Sequence, residues 1–397
     1  MITVCEKNKC SGCMACVDIC PKGAVKIFDE LTAYNAVISK EKCIDCGSCY
    51  KVCQVNHIPQ VIAPFLWYQG WAKDDDIRKN SSSGGFATAI AIAFVKKGGI
   101  VCSCVFNEGK FIFQFAENVE DIKKFAGSKY VKSNPSGIYK QIRAFLQKKK
   151  KVLFIGLPCQ VAAIKNFVGE KLAEELYTAD LICHGTPSPK LLDIFLKQYG
   201  ESLNQLRDIL FRIKAKLQVH VDYQGLVEKG VSDKYTIAFL NSLIYTENCY
   251  ECNYAQKGRV SDITLGDSWG SELPLEEQKK GISLVLCQTQ KGMDLLKQAE
   301  LHLDVVDLNK AITNNRQLSQ PSSMPKNRIG FFNGIEKEES FNSLVFRSLP
   351  KQCMRQDIKM ILIKMKLYGG GNRINYSVLI SERDTMVKDK KRECSIF

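Results

Sequence analysis

Between residues 65 and about 335, short apolar runs alternate with longer segments of helical periodicity. The apolar runs at residues 151–156 and 176–183 predict buried strands, and the longer apolar segment at residues 86–97 predicts a helix. Strands that alternate with helices are typical of α/β layers, in which helices cover a largely parallel sheet. We therefore expect a large α/β domain over residues 65–335.

The two ends of the chain have different patterns. Short runs at residues 24–28 and 36–39 predict two strands within a small domain at residues 1–60. Near the other end, residues 356–368 predict a helix whose apolar face carries Ile358, Ile361, Leu362 and Met365. Residues 336–397 are therefore expected to form a short, helical and basic C-terminal region.

The small N-terminal domain contains the same cysteine run twice. The spacing C-x2-C-x2-C-x3-C is that of bacterial two-cluster ferredoxins, in which three thiolates hold one cubane and the fourth reaches the other. The predicted fold class is thus an α+β ferredoxin-like two-cluster domain, followed by the larger α/β domain and the helical region. One 4Fe–4S cluster is expected on Cys10, Cys13, Cys16 and Cys53, and the second on Cys43, Cys46, Cys49 and Cys20.

Two zinc sites are the alternative, but zinc usually takes two CxxC pairs at a longer separation. Gln54 follows Cys53 where the ferredoxin run has proline, which loosens the turn but removes no ligand. Cys5 lies outside both runs and is interpreted as an ordinary small residue.

Composition and charge narrow the expected location and the expected partners of the protein. The chain has 18 cysteines in 397 residues and no apolar leader, which predicts a reducing, cytoplasmic location where cysteines serve metal or redox chemistry. No apolar run reaches the roughly 18 residues of a membrane helix. The formal net charge of +14 suits an acidic redox partner such as a ferredoxin, or an anionic cofactor. Nucleic-acid binding is not expected, because the basic runs at residues 148–151 and 388–392 lack interleaved aromatic residues.

The basic helix predicted at residues 356–368 has two interpretations. A basic amphipathic helix can make a peripheral membrane contact or dock a partner. It can also pack on the main domain with its lysines in solvent, and this second arrangement is the expectation.

Candidate chemistry in the large domain lies at helix starts and strand ends. The Ser-Ser-Ser-Gly-Gly sequence at residues 81–85 precedes a predicted helix and offers backbone N–H groups to a phosphate, although such sequences often serve as simple caps. Cys159 and Cys183 follow predicted strands, where α/β folds place their sites. From spacing alone, these two are expected to be buried and inert. Cys249 and Cys252 form a CxxC pair, which suits a dithiol, half of a zinc site, or completion of a third four-thiolate site.

Six segments occur in the order typical of one known family: SSGG at 82–85, KYVKS at 129–133, GLPCQ at 156–160, CHGTP at 183–187, CYEC at 249–252 and LGDSWG at 265–270. Over residues 70–330 the chain resembles the coenzyme F420 hydrogenase/dehydrogenase beta subunit family, whose members are flavin proteins with 4Fe–4S clusters. With its N-terminal ferredoxin domain, it resembles the fused bacterial version found with polysaccharide-biosynthesis genes. Leu157 stands where threonine is expected in that family.

The resemblance implies a third cluster on Cys159, Cys183, Cys249 and Cys252, and bound FAD. The implied cofactor-binding residues are Ser82, Ser83, Gly84, Gly85, Lys129, Ser133, Gly185, Asp267 and Trp269. Lys129 and His184 are implied as catalytic residues, because Lys129 would offset phosphate charge or bond the flavin and His184 would donate near flavin N1. His184 can instead hydrogen-bond a cluster sulfur, and Asp267 and Trp269 can instead cap and pack a strand end.

These features predict an iron–sulfur flavoprotein oxidoreductase. Electrons would pass between a ferredoxin-type partner and a small-molecule or glycan-related substrate through three 4Fe–4S clusters and FAD, because a flavin joins one-electron and hydride chemistry. The alternative is a non-catalytic electron-transfer subunit that feeds a partner enzyme. Bound flavin and an open pocket would favour the enzyme.

Overall fold

The computed structural model describes residues 2–367. The N-terminal domain consists of two similar halves, and its elements are α1 (Ala15–Ile19), β1 (Val25–Asp29), β2 (Tyr34–Ile38) and α2 (Ser48–Val52). The two strands pair antiparallel, with Val25 opposite Ile38. They differ by one or two residues from the predicted strands at 24–28 and 36–39.

The large domain is built on strands that lie in two sheets. In chain order they are β3 (Leu66–Ala72), β4 (Ile100–Asn107), β5 (Lys110–Ala116), β6 (Val152–Gly156), β7 (Leu176–Leu181), β8 (Ile209–Ile213), β9 (Lys216–Val221), β10 (Gln224–Gly225), β11 (Ile263–Asp267), β12 (Ser283–Cys287) and β13 (Leu301–Asp304). The main sheet has the order β13-β3-β12-β11-β7-β6-β4-β5, and β10-β9-β8 form a small antiparallel sheet. The strands predicted at residues 151–156 and 176–183 are β6 and β7, and β7 ends two residues earlier than expected.

The direction of the central strands decides where the site lies. β4, β6, β7 and β11 run parallel, whereas the strands beyond them on both sides pair antiparallel. All five residues of β6 are buried, as expected for a strand that is covered on both faces. Because β6, β7 and β11 are parallel neighbours, their carboxyl ends meet at one edge of the sheet, where α/β folds place ligands.

The helices of the large domain are α3 (Asp75–Asn80), α4 (Phe86–Lys96), α5 (Val119–Lys123), α6 (Ile138–Gln147), α7 (Pro158–Val168), α8 (Pro189–Lys197), α9 (Lys234–Leu240), α10 (Leu275–Lys280), α11 (Gln290–Gln298) and α12 (Leu308–Asn314). As predicted for α/β layers, helices cover both faces of the main sheet, with α4 and α11 in the core on one face and α6 and α7 in the core on the other. Apart from its last residue, α4 is the helix predicted at residues 86–97. The predicted fold class is confirmed: a small N-terminal iron–sulfur domain, a large mixed-sheet domain and short C-terminal helices.

The first C-terminal helices pack against helices of the large domain and share a core with them. They are α13 (Arg328–Glu336), α14 (Phe341–Ser348) and α15 (Pro350–Lys364). The buried ring of Phe341 lies 5.4 Å from Phe195 of α8 and 5.4 Å from Phe331, measured between ring centroids. The division at residues 335–336 remains a prediction.

The last described helix differs from the expectation. α15 begins at Pro350, six residues earlier than predicted, and packs through the buried Cys353. Its predicted apolar face is mostly exposed: Ile358, Ile361 and Met365 are 54%, 53% and 61% exposed, and Leu362 is half-buried. Peripheral membrane contact stays a prediction, and the basic run at 388–392 lies outside the described residues. Within residues 2–367, no helix is long and apolar enough to cross a bilayer.

Candidate functional site

The eight cysteines of the N-terminal domain surround two separate cavities. One cavity is lined by the inner cysteine site, which consists of Cys10, Cys13, Cys16 and Cys53. A second cavity is lined by the outer cysteine site, which consists of Cys20, Cys43, Cys46 and Cys49. In each site three thiols come from one run and the fourth from the other, which is the division that the spacing predicts.

Equivalent turns bring the thiols of each run together. Met14 and Gly47 have positive φ angles of 64° and 69°, and each turn precedes a short helix that carries the next cysteine. Backbone N–H groups point at the sulfurs: that of Gly12 lies 3.4 Å from Cys10 Sγ and that of Ala24 lies 3.2 Å from Cys20 Sγ. Such hydrogen bonds stabilise thiolate ligands and tune cluster potentials.

Cys5 is a fifth thiol in the inner cavity, although the sequence indicated no role for it. Hydrogen bonds with Cys10 and Cys53 raise the pKa of Cys5, and the bond from Cys5 lowers the pKa of Cys53 to about 6. Burial raises the pKa of Cys13 to about 12, so this thiol must lose its proton when a metal group binds.

Four of the cysteines of the large domain also line one cavity, of about 260 Å³. Together they form the third cysteine site: Cys159, Cys183, Cys249 and Cys252. Cys159 lies in the first turn of α7, Cys183 lies two residues beyond β7, and the CxxC pair spans a 3-10 helix at Glu247–Glu251. Burial raises the pKa of Cys183 to about 12. The parallel strands therefore bring together cysteines that are up to 93 residues apart in sequence.

A buried ion pair fixes the CxxC segment to the sheet. Arg259 and Asp180 are 1% and 0% exposed in their side chains, and Arg259 Nη2 lies 3.1 Å from Asp180 Oδ1. Arg259 also donates to the carbonyl oxygens of Tyr254, at 2.7 Å, and Leu181, at 3.0 Å. Sequence reasoning missed this pair because neither residue belongs to a recognisable motif.

Each of the three cysteine sites offers four thiols, the ligand set that a 4Fe–4S cluster takes. Within residues 2–367, no three His, Cys, Asp or Glu side chains converge closely enough to hold a single metal ion. The thiols instead surround cavities, as a four-iron core that stands between its four ligands requires.

Another cavity, of about 270 Å³ and called the large cavity below, opens at the carboxyl ends of β6, β7 and β11. The predicted residues that line it are Ser82, Ser83, Gly85, Lys129, Ser133, His184, Gly185, Asp267 and Trp269. Gly84 is not among them, because it packs against the sheet. A Cβ atom there would lie 2.3 Å from Gly70 O and 2.7 Å from Ser283 N, so close backbone approach explains the glycine.

The start of α4 presents unpaired N–H groups to this large cavity. Its first turn has no side-chain cap, and Gly85 before it has a φ of 91°. Lys214 fixes the preceding loop, since its Nζ donates to the carbonyl oxygens of Ser81, at 2.8 Å, Ser83, at 3.0 Å, and Arg78. Free N–H groups at a helix N-terminus form an anion site, and sequence reasoning found the helix start but not Lys214.

A second cluster of charge also lines the cavity. Arg212 Nη1 is 2.6 Å from Asp267 Oδ2, and Arg212 Nη2 is 3.1 Å from Asp267 Oδ1. The guanidinium also lies 5.6 Å from the centroid of Trp269. Asp267 and Trp269 thus shape the cavity together with Arg212, a residue that no sequence motif indicated.

Lys129 is held at the cavity wall by backbone oxygens. Its Nζ donates to Phe125 O at 2.8 Å and to Ala126 O at 3.1 Å. Its positive charge is thereby kept near the large cavity, as its predicted role toward a phosphate or flavin requires.

The segment that follows β7 separates the large cavity from the third cysteine site. Each of its residues lines both cavities, and this dividing segment consists of Cys183, His184, Gly185 and Thr186. Gly185 has a φ of 137°, and a Cβ atom there would lie 2.3 Å from the Tyr245 ring. Burial lowers the pKa of His184, so its ring is neutral at pH 7. Leu157 also lines both cavities. Its side chain has no hydroxyl, unlike the threonine expected at this position in the family.

Family comparisons agree with this architecture. Residues 9–57 match the 4Fe-4S dicluster domain, and the protein is an iron–sulfur redox protein. Residues 67–138 match the N-terminal part and residues 149–310 the C terminus of the coenzyme F420 hydrogenase/dehydrogenase beta subunit. The chain belongs to the coenzyme F420 hydrogenase/dehydrogenase beta subunit family.

Among solved structures, the chain is similar to a chain of the F420-reducing [NiFe] hydrogenase complex from Methanosarcina barkeri, solved as a xenon derivative. The two are 19% identical with a TM-score of 0.44, and the match covers 66% of this chain and 93% of the other. A search of curated proteins returned no match.

Proposed function

We propose that the chain is a flavin-dependent oxidoreductase that passes electrons between a ferredoxin-type partner and a substrate through three 4Fe–4S clusters and FAD. The observation that carries the proposal is the dividing segment. One stretch of four residues lines both the third cysteine site and the large cavity. Redox groups bound on its two sides would be neighbours, as electron transfer between them requires.

The residues around the large cavity suit a dinucleotide flavin. The N-terminus of α4 and Lys129 would hold its phosphates, and Arg212 adds a second positive charge that Asp267 fixes in place. A flavin bound there would supply both one-electron and hydride chemistry. His184, as a neutral ring in the wall, can donate or accept one hydrogen bond without adding charge.

A substrate would approach the cavity beside Trp269. Trp269 lines the cavity and is 37% exposed, so it can contact both a bound flavin and a molecule that enters from solvent. The proposed substrate is a small molecule, with glycan-related compounds as the first class to test.

The outer cysteine site is the proposed entry point for electrons. Cys46 is exposed, and Ile44 and Tyr50 beside it are 56% and 55% exposed. Lys42, in the loop before Cys43, and Lys51, in α2, are also exposed. An apolar patch with basic neighbours suits an acidic one-electron carrier such as a ferredoxin.

Cofactor content tests the proposal. The protein would be purified without oxygen, and iron, acid-labile sulfide and released flavin would be measured per chain. About twelve irons, four for each of three clusters, together with one FAD are expected. A Cys249→Ala/Cys252→Ala variant is expected to keep about eight irons, which would assign the missing four to the third cysteine site.

A lower iron content without flavin would favour the alternative function. About eight irons and no flavin in the wild-type chain would contradict the flavoenzyme. It would favour the non-catalytic electron-transfer subunit, which needs the N-terminal clusters but holds no substrate.

A further inference from the structure

The N-terminal domain meets the third cysteine site through a buried chain of hydrogen bonds. Gln54 is 3% exposed, and its Nε2 donates to Ser11 Oγ at 2.9 Å. The hydroxyl of Tyr254, which is 4% exposed, donates to Gln54 Oε1 at 2.5 Å. Ser11 lies between Cys10 and Cys13, Gln54 follows Cys53, and Tyr254 lies two residues beyond Cys252. The bonds therefore run from the loops of the inner cysteine site to the CxxC segment.

The same contact contains a buried cation. Lys132 is 6% exposed, and its Nζ donates to Ser11 O at 2.9 Å and lies 5.0 Å from the centroid of the Tyr34 ring. Lys132 also lines the cavity of the third cysteine site together with Cys159 and Cys183. The next residue, Ser133, lines the large cavity instead. Lys132 is thus directed toward the cysteine sites and away from the proposed flavin.

We propose that the inner cysteine site is the one that exchanges electrons with the third, across the bridge of Ser11, Gln54 and Tyr254. Lys132 is a positioning residue that raises the reduction potentials of both sites. The outer site has no share in this contact among the described residues and receives electrons from the partner. Glutamine in place of the usual proline after Cys53 then has a reason, because proline can make neither of the two side-chain bonds. The proposal rests on the three-cluster function proposed above.

The sign of the Lys132 effect follows from charge. Reduction adds one electron to a cluster that is held by four thiolates, so a buried cation beside it favours the reduced state. Removing the cation is expected to disfavour reduction of the inner and third clusters roughly tenfold, or about 59 mV for a one-electron couple. The outer cluster should not change.

The test is an anaerobic redox titration of the full chain, followed by EPR, on wild type, Lys132→Met and the charge-retaining control Lys132→Arg. The methionine variant should move the inner and third potentials downward while the arginine variant stays near wild type. Unchanged potentials, or an equal shift at the outer cluster, would overturn the role of Lys132. If the methionine variant loses iron, Lys132→Gln keeps a donor for Ser11 O and provides the same test.

The hydrogen-bonded bridge has a separate test in Tyr254→Phe, which removes one hydroxyl. After rapid reduction, electrons should move from the inner to the third cluster more slowly than in wild type, with both potentials unchanged. An unchanged rate would remove the bridge from the route. Failure of the three-cluster function would appear differently, as about eight irons in the wild-type chain.

Discussion

Cys5 shows how a single residue can lie in a site without belonging to its ligand set. It lines the inner cavity with four other thiols, yet the spacing of the two runs already supplies four ligands. We predict that Cys5→Ala keeps the full iron content. Cys13→Ala, the matched change at a predicted ligand, should lose about four irons. Iron analysis of both variants decides, and loss of iron from Cys5→Ala would make Cys5 a ligand.

At the residue scale, motifs indicated which cysteines share a cavity. Local spacing predicted the two groups of four N-terminal cysteines, and the resemblance to the family implied the grouping of Cys159 and Cys183 with the CxxC pair. Arg212 and Lys214 were missed because their partners lie more than fifty residues away and no local pattern marks an isolated basic residue. Gly84 was assigned to the cavity because it lies in the SSGG motif, whereas it is required by close packing on the sheet.

The buried pair of Arg259 and Asp180 holds the CxxC segment on the end of β7. Removing one partner leaves an uncompensated buried charge, so we predict that Arg259→Met lowers the free energy of unfolding by about 3–5 kcal/mol. It should also reduce the iron content of the third site. Denaturant unfolding and iron analysis would measure both effects.

The matched double variant separates charge from packing. Arg259→Met combined with Asp180→Leu removes both charges and should recover part of the lost stability. A double variant that is as unstable as the single one would show that the ion pair itself is not the cause.

The loop before α4 carries a pH dependence that Lys214 imposes. Burial, and next the charge of Arg78, lower the pKa of Lys214 to about 7, whereas an unfolded lysine keeps its proton to about 10.5. Between these values the unfolded chain binds more protons, so the free energy of unfolding should rise with pH above 7. Lys214→Met should reduce this slope. Unfolding measured at pH 7, 8 and 9 tests the prediction, and equal slopes for the two proteins would refute it.

The predicted strands located more of the site than single residues did, because the order of parallel strands determines which strand ends are neighbours. Once β6 and β7 are adjacent and parallel, Cys159 and Cys183 must meet at one edge. The small sheet of β8 to β10, which supplies Arg212 and Lys214, has no comparable signature. Its short strands pair irregularly, with a register shift between Leu210 and Arg212.

At the scale of the whole molecule, the outer cysteine site should control the encounter with a redox partner. Lys42→Glu reverses one exposed charge beside Cys43 and should slow reduction by an acidic carrier several-fold at low ionic strength. Lys97→Glu makes the same change at an exposed position before β4, and should have little effect. Stopped-flow reduction at two salt concentrations would compare them. Equal slowing by both variants would indicate net charge and not a docking surface.

The contact between the N-terminal domain and the large domain depends on residues that the sequence alone could not place together. Cysteine spacing predicted two N-terminal clusters, but Gln54 was interpreted there as a looser turn. Its two partners, Ser11 and Tyr254, belong to separate domains and become neighbours only in the folded chain. The apolar face of α15 was expected to pack, yet neither periodicity nor composition specifies which face a terminal helix covers.

The central claim is that the third cysteine site connects the N-terminal clusters to a flavin across the dividing segment. The most direct measurement is anaerobic reduction of the holoprotein by a reduced ferredoxin, with flavin and cluster absorbance followed separately. In wild type both should be reduced. In Cys249→Ala/Cys252→Ala the N-terminal clusters should be reduced while bound flavin stays oxidised. Flavin reduction at the wild-type rate in that variant would contradict the account.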